Sequence, residues 1–228
     1  MFDGVQGSRR RRSKPHEVHF YRTKQEYISR LIKKIPQIAI TNGLYLQNDR
    51  VAYFFYNPDP DVSPESTIFH EATHQLFYES KPRNFGIAVK SDFWIVEGIA
   101  CYMESFERNQ NSFSIGDANY IRFRAARYRL LKEDYYVPLA TFRRMGMQEF
   151  QNHKDIRKNY SQASGLAQFF MDFDNGIYRD ALIKHLTNLY SSRSSLSTTT
   201  IAEIIGTPFD QLDQQYREFC AELDEAEE

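Results

Sequence analysis

The pattern of apolar residues changes near residues 58–64, and this change constrains the fold more than any other feature of the sequence. Before it, short apolar runs are separated by residue pairs that are typical of turns between strands. These pairs are Asn42-Gly43 and Asn48-Asp49. After it, apolar residues recur with a period of about 3.6 residues, which is typical of helices. We therefore expect an α+β fold in one domain, with a small β-rich lobe at residues 16–60 and a mainly helical lobe at residues 61–228.

Recognisable residues mark the boundaries of the expected strands and helices. The segment "EVHFYR" alternates like a strand, and the helix predicted over "TKQEYISRLIKKI" has Thr23 as its N-cap. Ser63-Pro64 predicts the start of a helix that continues through Tyr78. Seven further helices are expected, at residues 91–108, 118–134, 138–145, 160–173, 178–190, 199–206 and 208–223.

Composition and charge exclude several classes of protein. A hydrophobic content of 41% and a net charge of -1 predict a globular chain with no overall attraction for nucleic acid. No apolar run reaches the roughly 18 residues that a membrane span requires. The basic lead-in, residues 1–15, receives no function, and no apolar stretch follows its arginines as in an export signal. Compartment, oligomeric state and the pairing of Cys101 with Cys220 stay open.

The segment "FHEATHQLFY", residues 69–78, is the first candidate for chemistry. His70 and His74 are four residues apart on a predicted helix, so both imidazoles face the same side, and Glu71 leans toward it. This spacing is typical of a zinc-binding helix that also supplies a general base. Because the same spacing arises by chance in amphipathic helices, the motif alone leaves both interpretations open.

A third candidate ligand is Glu97, 23 residues after His74 (97 minus 74) in the apolar segment "FWIVEGIACYMES". A carboxylate beside Trp94 and its aliphatic neighbours is costly unless it is paired or bound to a cation. The intervening loop suits an antiparallel helix pair, which would bring Glu97 back to the two histidines. Since a catalytic zinc requires three protein ligands and an open position for water, we expect a His, His, Glu set.

Together these motifs resemble a known group of enzymes. The order HExxH then W-x-x-E-G-x-A, present as "HEATH" and "WIVEGIA", is similar to the gluzincin metallopeptidases, in particular to bacterial peptidase MA-like domains related to aminopeptidase N. The segment "NYSQASGLAQFF" adds Tyr160, where those enzymes have a catalytic tyrosine at the start of a later helix. The resemblance covers residues 65–175 and implies a zincin-like fold, with the site in a cleft between the two lobes.

The resemblance also implies a role for each motif residue. His70, His74 and Glu97 match the ligands of a Zn²⁺ cofactor, Glu71 matches the general base, and Tyr160 matches the hydrogen-bond donor to the transition state. The implied substrate is a peptide or protein, which the strand "RVAYFFY" is the best candidate to bind by strand addition. The family's Gly-x-Met-Glu-Asn loop for a free substrate N-terminus is absent, so aminopeptidase activity is not implied and endo- or exo-cleavage stays open.

The role of Glu104 and two alternative functions complete the functional expectations. Glu104, seven residues after Glu97, is expected either to orient a histidine ligand or to be an ordinary carboxylate on the helix surface. The chain could also be a catalytically silent zincin-fold binding or structural module, with or without zinc. It could equally apply zinc chemistry to a non-peptide amide or ester, because specificity depends on pocket shape.

The remaining histidines and the single tryptophan are expected to have no catalytic role. Trp94 is expected to pack in the core, His153 to lie in an exposed loop and His185 to lie on a helix face. His16 and His19 are three apart in a strand and so point to opposite faces, which makes a second metal site there improbable.

Overall fold

The computed structural model describes residues 15–58, 64–80, 87–191 and 199–226 of the chain. These residues fall into two units, the N-terminal unit within Gly7–Arg83 and the C-terminal unit within Asn84–Glu228. Helices predominate, and the strands form one sheet of three and one of two. The α+β class expected from the sequence is therefore confirmed.

The described residues of the N-terminal unit form three strands and two α-helices. They are β1 (Glu17–Tyr21), α1 (Lys24–Leu31), β2 (Gly43–Leu46), β3 (Val51–Phe55) and α2 (Pro64–Ser80). The predicted cap of α1 is confirmed, since the Thr23 hydroxyl accepts the N–H of Glu26 at 3.1 Å. Residues Ile38–Ile40, expected to be β-structure, form a turn of 3-10 helix instead. Ser63, expected as the N-cap of α2, and the basic lead-in up to residue 14 lie outside the described residues.

β3 is the central strand of the three-stranded sheet. It pairs in parallel with β1, where Glu17 lies opposite Val51, and antiparallel with β2, where Leu46 lies opposite Val51. All five residues of β3 are buried, which accounts for its uninterrupted apolar run. Because β3 is bonded on both edges, it cannot accept an extended peptide, and the expectation that "RVAYFFY" does so is wrong. The edge strands of the described sheet are β1 and β2.

The two faces of this sheet are covered by different helices. α1 covers one face through Tyr27 and Leu31, and α2 covers the other through Ile68 and Tyr78. The sequence pattern assigns α2 to the helical lobe, whereas in the structure α2 belongs to the same unit as the sheet. The reason is that its apolar side chains complete the core above β2 and β3.

The C-terminal unit is mainly helical. Its elements are α3 (Phe93–Met103), β4 (Glu107–Arg108), β5 (Phe113–Ser114), α4 (Ile121–Leu131), α5 (Leu139–Phe142), α6 (Met147–Gln151), α7 (Ile156–Asp172), α8 (Arg179–Ser191), α9 (Ile201–Ile205) and α10 (Phe209–Glu225). All seven helices expected here are present. The short α6 and the β4–β5 hairpin were not expected, and α3 ends at Met103 because the chain turns into that hairpin.

α3 and α7 pack closely at the centre of this unit. Residues 93–102 of α3 are all buried. Gly98 faces α7, where an added Cβ would lie 2.6 Å from the carbonyl oxygen of Ala163, so only glycine permits this helix separation. The segment "WIVEGIA" therefore encodes both a carboxylate and the packing that keeps its helix in place. Trp94 is fully buried and its ring lies 6.5 Å from that of Phe142, which confirms its expected packing role.

Polar side chains in the core anchor the start of α3. The Asp92 carboxylate accepts two hydrogen bonds from the Arg143 guanidinium, at 3.2 and 3.0 Å. His185, expected on a helix face, points into the core from α8, and its Nε2 lies 3.7 Å from Asp92 Oδ1. Asp92 has a left-handed backbone with φ of 60°, a strained conformation for a non-glycine residue. These contacts hold the residue that precedes α3 in one orientation.

Two further expectations concern cysteines and membranes. Cys101 and Cys220 are both buried and are not joined by a disulfide. Among the helices within the described ranges, none combines the length and apolar character that a bilayer span needs.

A half-buried carboxylate at the end of α7, that of Asp172, should make stability depend on pH. Burial raises the pKa of Asp172 to about 6, although the Tyr102 hydroxyl donates to it at 2.9 Å. Because the pKa is higher in the folded state than the ordinary value of 3.8, stability is greatest below that value and falls as the pH rises toward about 6. Asp172→Asn should therefore raise the free energy of unfolding by about 1 to 2 kcal/mol at pH 8 and not at pH 3.5.

Urea unfolding of both proteins at the two pH values measures this effect. Glu133→Gln, at a carboxylate that is 40% exposed, is the control and should change stability little at either pH. An Asp172→Asn variant equal to or less stable than the wild type at pH 8 would contradict the prediction.

Candidate metal centre

The two histidines of "HEATH" lie one turn apart on α2. The helix brings their side chains together, with 3.2 Å between the two Nε2 atoms and 4.9 Å between the ring centroids. Both side chains are half-buried, so they are neither core residues nor fully solvated. The expected convergence of His70 and His74 on one point is thus found within the N-terminal unit.

The separation of the two Nε2 atoms fits a shared zinc ion. Ligands at about 2.0 to 2.1 Å from a tetrahedral zinc lie roughly 3.3 Å from each other. The observed 3.2 Å is close to that value. A direct imidazole–imidazole hydrogen bond would give a similar distance, so this geometry is compatible with both interpretations. Imidazole nitrogens are also a ligand type that zinc prefers.

Glu71 is held by the neighbouring strand. Its Oε2 accepts the main-chain N–H of Tyr45, on the edge strand β2, at 2.8 Å. The side chain is half-buried on α2, in the residue next to His70. One carboxylate oxygen is therefore held by a strand, and the expected role of Glu71 as a general base stays a prediction.

Glu97 lies in the second turn of α3 in the C-terminal unit. It is 5% exposed, within the run of ten buried residues that begins at Phe93. Burial of an ionised carboxylate is unfavourable without a compensating charge or hydrogen bonds, and a bound cation would supply such a charge. Glu97 thus has the environment expected of a buried ligand.

Glu104, at the end of α3, is held by a guanidinium. Its two oxygens accept hydrogen bonds from Arg122 at 2.6 and 2.8 Å, and the Tyr120 hydroxyl donates to it at 3.1 Å. Burial raises the pKa of Tyr120 well above its ordinary value, and the adjacent Glu104 charge raises it further. Since Glu104 is buried, the alternative of an ordinary surface carboxylate is wrong. Its expected role in orienting a histidine stays a prediction.

Tyr160 and His153 lie close together in sequence but differ in setting. Tyr160 is the fifth residue of α7, since that helix begins at Ile156, and its half-buried ring meets Phe150 edge-on at 5.3 Å. His153 lies in the turn before α7, where its Nδ1 accepts the N–H of Asp155 at 3.1 Å. His153 is half-buried and helps to shape that turn rather than being an exposed loop residue.

His16 and His19 have separate carboxylate partners. His16 Nδ1 lies 3.1 Å from Glu79 Oε2, and His19 Nε2 lies 2.8 Å from Glu17 Oε1. Each of these two histidines thus lies beside a different carboxylate.

Sequence reasoning missed Tyr45 and Glu79, two residues near the expected base Glu71. Tyr45 contacts Glu71 through its main chain and Glu79 through its hydroxyl, at 3.3 Å. One signal was present, because Glu71, Gln75 and Glu79 form a polar row at intervals of four on α2. A main-chain donor carries no side-chain signal, so Tyr45 could not be found from the sequence.

Comparison with known proteins gives one match. The family described as "Protein of unknown function (DUF1570)" matches residues 65–196, which is 132 of the 228 residues (196 minus 65 plus 1). The matched region contains all five motif residues, from His70 to Tyr160. The comparisons with curated proteins and with solved structures found no match.

Proposed function

Since the chain belongs to the DUF1570 family, whose function is unknown, we propose its function from its own side chains: zinc-dependent hydrolysis of peptide bonds by a gluzincin-type metallopeptidase. The observation that carries the proposal is the pair of Nε2 atoms 3.2 Å apart on α2, directly beside a carboxylate held by a strand N–H. Two histidines placed four residues apart by chance would need neither the short Nε2 separation nor the held carboxylate beside them.

The proposed ligands are His70, His74 and Glu97. Each offers one ligand atom, an imidazole nitrogen or a carboxylate oxygen, of the kind that catalytic zinc sites use. The set leaves one coordination position for water. The burial of Glu97 supports the assignment, because a cation would offset the cost of its charge.

The chemistry follows from the neighbouring side chains. Zinc, when bound, lowers the pKa of a water molecule and polarises the substrate carbonyl. Glu71 accepts a proton from the attacking water and later transfers it to the leaving nitrogen, acting first as base and then as acid. Tyr160 donates a hydrogen bond to the oxygen that gains negative charge in the transition state. The proposal does not include aminopeptidase activity, since the N-terminus-binding loop of that family is absent.

Metal content is the first prediction of the proposed function. The purified protein should hold one zinc per chain, and His74→Ala should lower zinc affinity at least about 100-fold, because a two-ligand set remains. Plasma emission analysis after dialysis, followed by competition with a chromogenic chelator, measures both quantities. His153→Ala, a histidine outside the proposed set, is the control and should retain zinc. Equal zinc content in the wild type and the His74→Ala variant would refute the ligand assignment.

Loss of the base is the second prediction. Glu71→Gln should keep its zinc and lose peptide hydrolysis by a factor of about 10³ or more, since the amide cannot accept the proton of water. Digestion of a broad peptide library, read by mass spectrometry, identifies cleaved bonds, and kinetics on the best substrate give kcat and KM. Zinc bound in both proteins with neither cleaving any peptide would favour the silent module instead. Cleavage of only ester or non-peptide amide probes would favour the alternative of a zinc hydrolase that acts on those bonds and not on peptides.

Loss of the transition-state donor is the third prediction. Tyr160→Phe should lower kcat about 100-fold and leave KM nearly unchanged, since the hydrogen bond forms best in the transition state and is worth about 3 kcal/mol. Steady-state kinetics on the library-derived substrate give both constants. Tyr128→Phe, at an exposed tyrosine on α4, is the matched control. An unchanged kcat in the Tyr160→Phe variant would remove Tyr160 from the mechanism.

A further inference from the structure

The edge strand β2 is attached to α2 at two points by a single residue. The main-chain N–H of Tyr45 donates to Glu71 at 2.8 Å, and its hydroxyl donates to Glu79 at 3.3 Å. The two carboxylates are eight residues apart on α2, which is roughly 12 Å along the helix axis. Two bonds at this spacing fix both the position and the direction of β2 against the helix.

The Tyr45 hydroxyl is suited to a permanent anchor. Burial raises the pKa of Tyr45 well above its ordinary value, and the nearby Glu79 charge raises it further, so the hydroxyl keeps its proton. Its ring is buried against Tyr78, with 6.0 Å between centroids. The hydroxyl is therefore protonated and able to donate at neutral pH.

Glu79 is itself held by several donors. Besides Tyr45 it accepts hydrogen bonds from Gln75 Nε2 at 3.0 Å and Arg50 Nη2 at 3.4 Å, and His16 Nδ1 lies 3.1 Å away. Gln75 comes from α2, whereas Arg50 and His16 directly precede β3 and β1. The anchor for Tyr45 thus has little freedom to move.

A glycine allows the close approach that these bonds require. A Cβ added at Gly43 of β2 would lie 2.7 Å from Cγ2 of Thr67 on α2 and 2.9 Å from the Phe54 ring. A larger residue would push α2 away from β2 by several tenths of an ångström. Gly43 and Thr67 therefore set the distance over which Glu71 meets the Tyr45 N–H.

We propose that Tyr45 is the positioning residue of Glu71, acting through its main-chain N–H, with Glu79 holding Tyr45 in register. This inference rests on the proposed function, in which Glu71 is the general base. The N–H holds Oε2, which assigns the proton of the attacking water to the other carboxylate oxygen, Oε1. The bond also restricts rotation of the carboxylate. Its other oxygen therefore stays in place first for the water and then for the leaving nitrogen.

The direct test removes the N–H alone. Replacing Tyr45 in the full chain by its α-hydroxy acid analogue turns that N–H into an ester oxygen and keeps the side chain. We expect kcat to fall 10- to 100-fold, the usual cost of losing an orienting partner, with KM and zinc content unchanged. The matched control is the same replacement at Gly43, two residues away on the same edge, which should leave kcat within about 2-fold.

A second pair of variants tests the anchor. Tyr45→Phe removes the hydroxyl bond to Glu79 and should lower kcat up to about 10-fold, the value of one hydrogen bond. Tyr78→Phe removes a hydroxyl from the neighbouring ring and should not change kcat. These variants remain informative if the ester-containing chain folds poorly.

A spectroscopic measurement does not depend on turnover. In ¹⁵N-labelled protein the Tyr45 amide proton should lie downfield in the wild type and move upfield in Glu71→Gln, because donation to a charged carboxylate is lost. An identical Tyr45 amide shift in the two proteins would overturn the inference.

The kinetic outcomes separate this inference from the proposed function. A wild type that binds zinc but cleaves no library peptide would refute the proposed function, and the base-positioning role with it. An active wild type whose ester variants at positions 45 and 43 have equal kcat would refute the positioning role alone.

Discussion

The close packing of α2 on β2 is the constraint on which the candidate centre depends. Both proposed histidine ligands and the proposed base lie on α2, so any shift of this helix moves three functional groups together. Gly43 permits the approach, and Tyr45 bonds to the helix at Glu71 and Glu79. The same contact covers one face of a three-stranded sheet. One packing contact therefore both completes the core of the N-terminal unit and positions the candidate residues on α2. A sheet this small needs such a helix to be stable.

Glu71 differs from three other carboxylates of the protein in how many partners compensate its charge. Glu79 accepts from several donors, Glu104 has a two-point contact with Arg122, and Asp92 has one with Arg143. Such arrangements are typical of structural carboxylates, because several partners together hold a buried charge in one place. Glu71 is only half-buried, with its one strand N–H on Oε2. The proposed role of Glu71 as a general base would need this lighter constraint, which orients the carboxylate without fully satisfying it.

The sequence predicted local features well because they depend on local physics. Helical spacing alone brings His70 and His74 together, and Thr23 caps α1 through a bond that spans only three residues. Features that depend on tertiary contacts were missed. The apolar run of β3 looks the same for an edge strand and a central one, so its position in the sheet could not be read from it. The Arg122 partner of Glu104, 18 residues away, likewise follows from how α3 and α4 pack.

The separation of 3.2 Å between the Nε2 atoms of His70 and His74 suits both a shared zinc ion and a direct hydrogen bond. A hydrogen bond between two imidazoles contributes only about 1 kcal/mol and does not require a carboxylate beside it. Glu71, the residue next to His70, is such a carboxylate, and Tyr45 holds one of its oxygens. A purely structural hydrogen bond between the histidines does not account for an oriented carboxylate beside two converging imidazoles on a half-buried helix face. The proposed zinc-assisted hydrolysis would use all three features, because two imidazoles can bind the ion and an adjacent carboxylate can accept a proton from water.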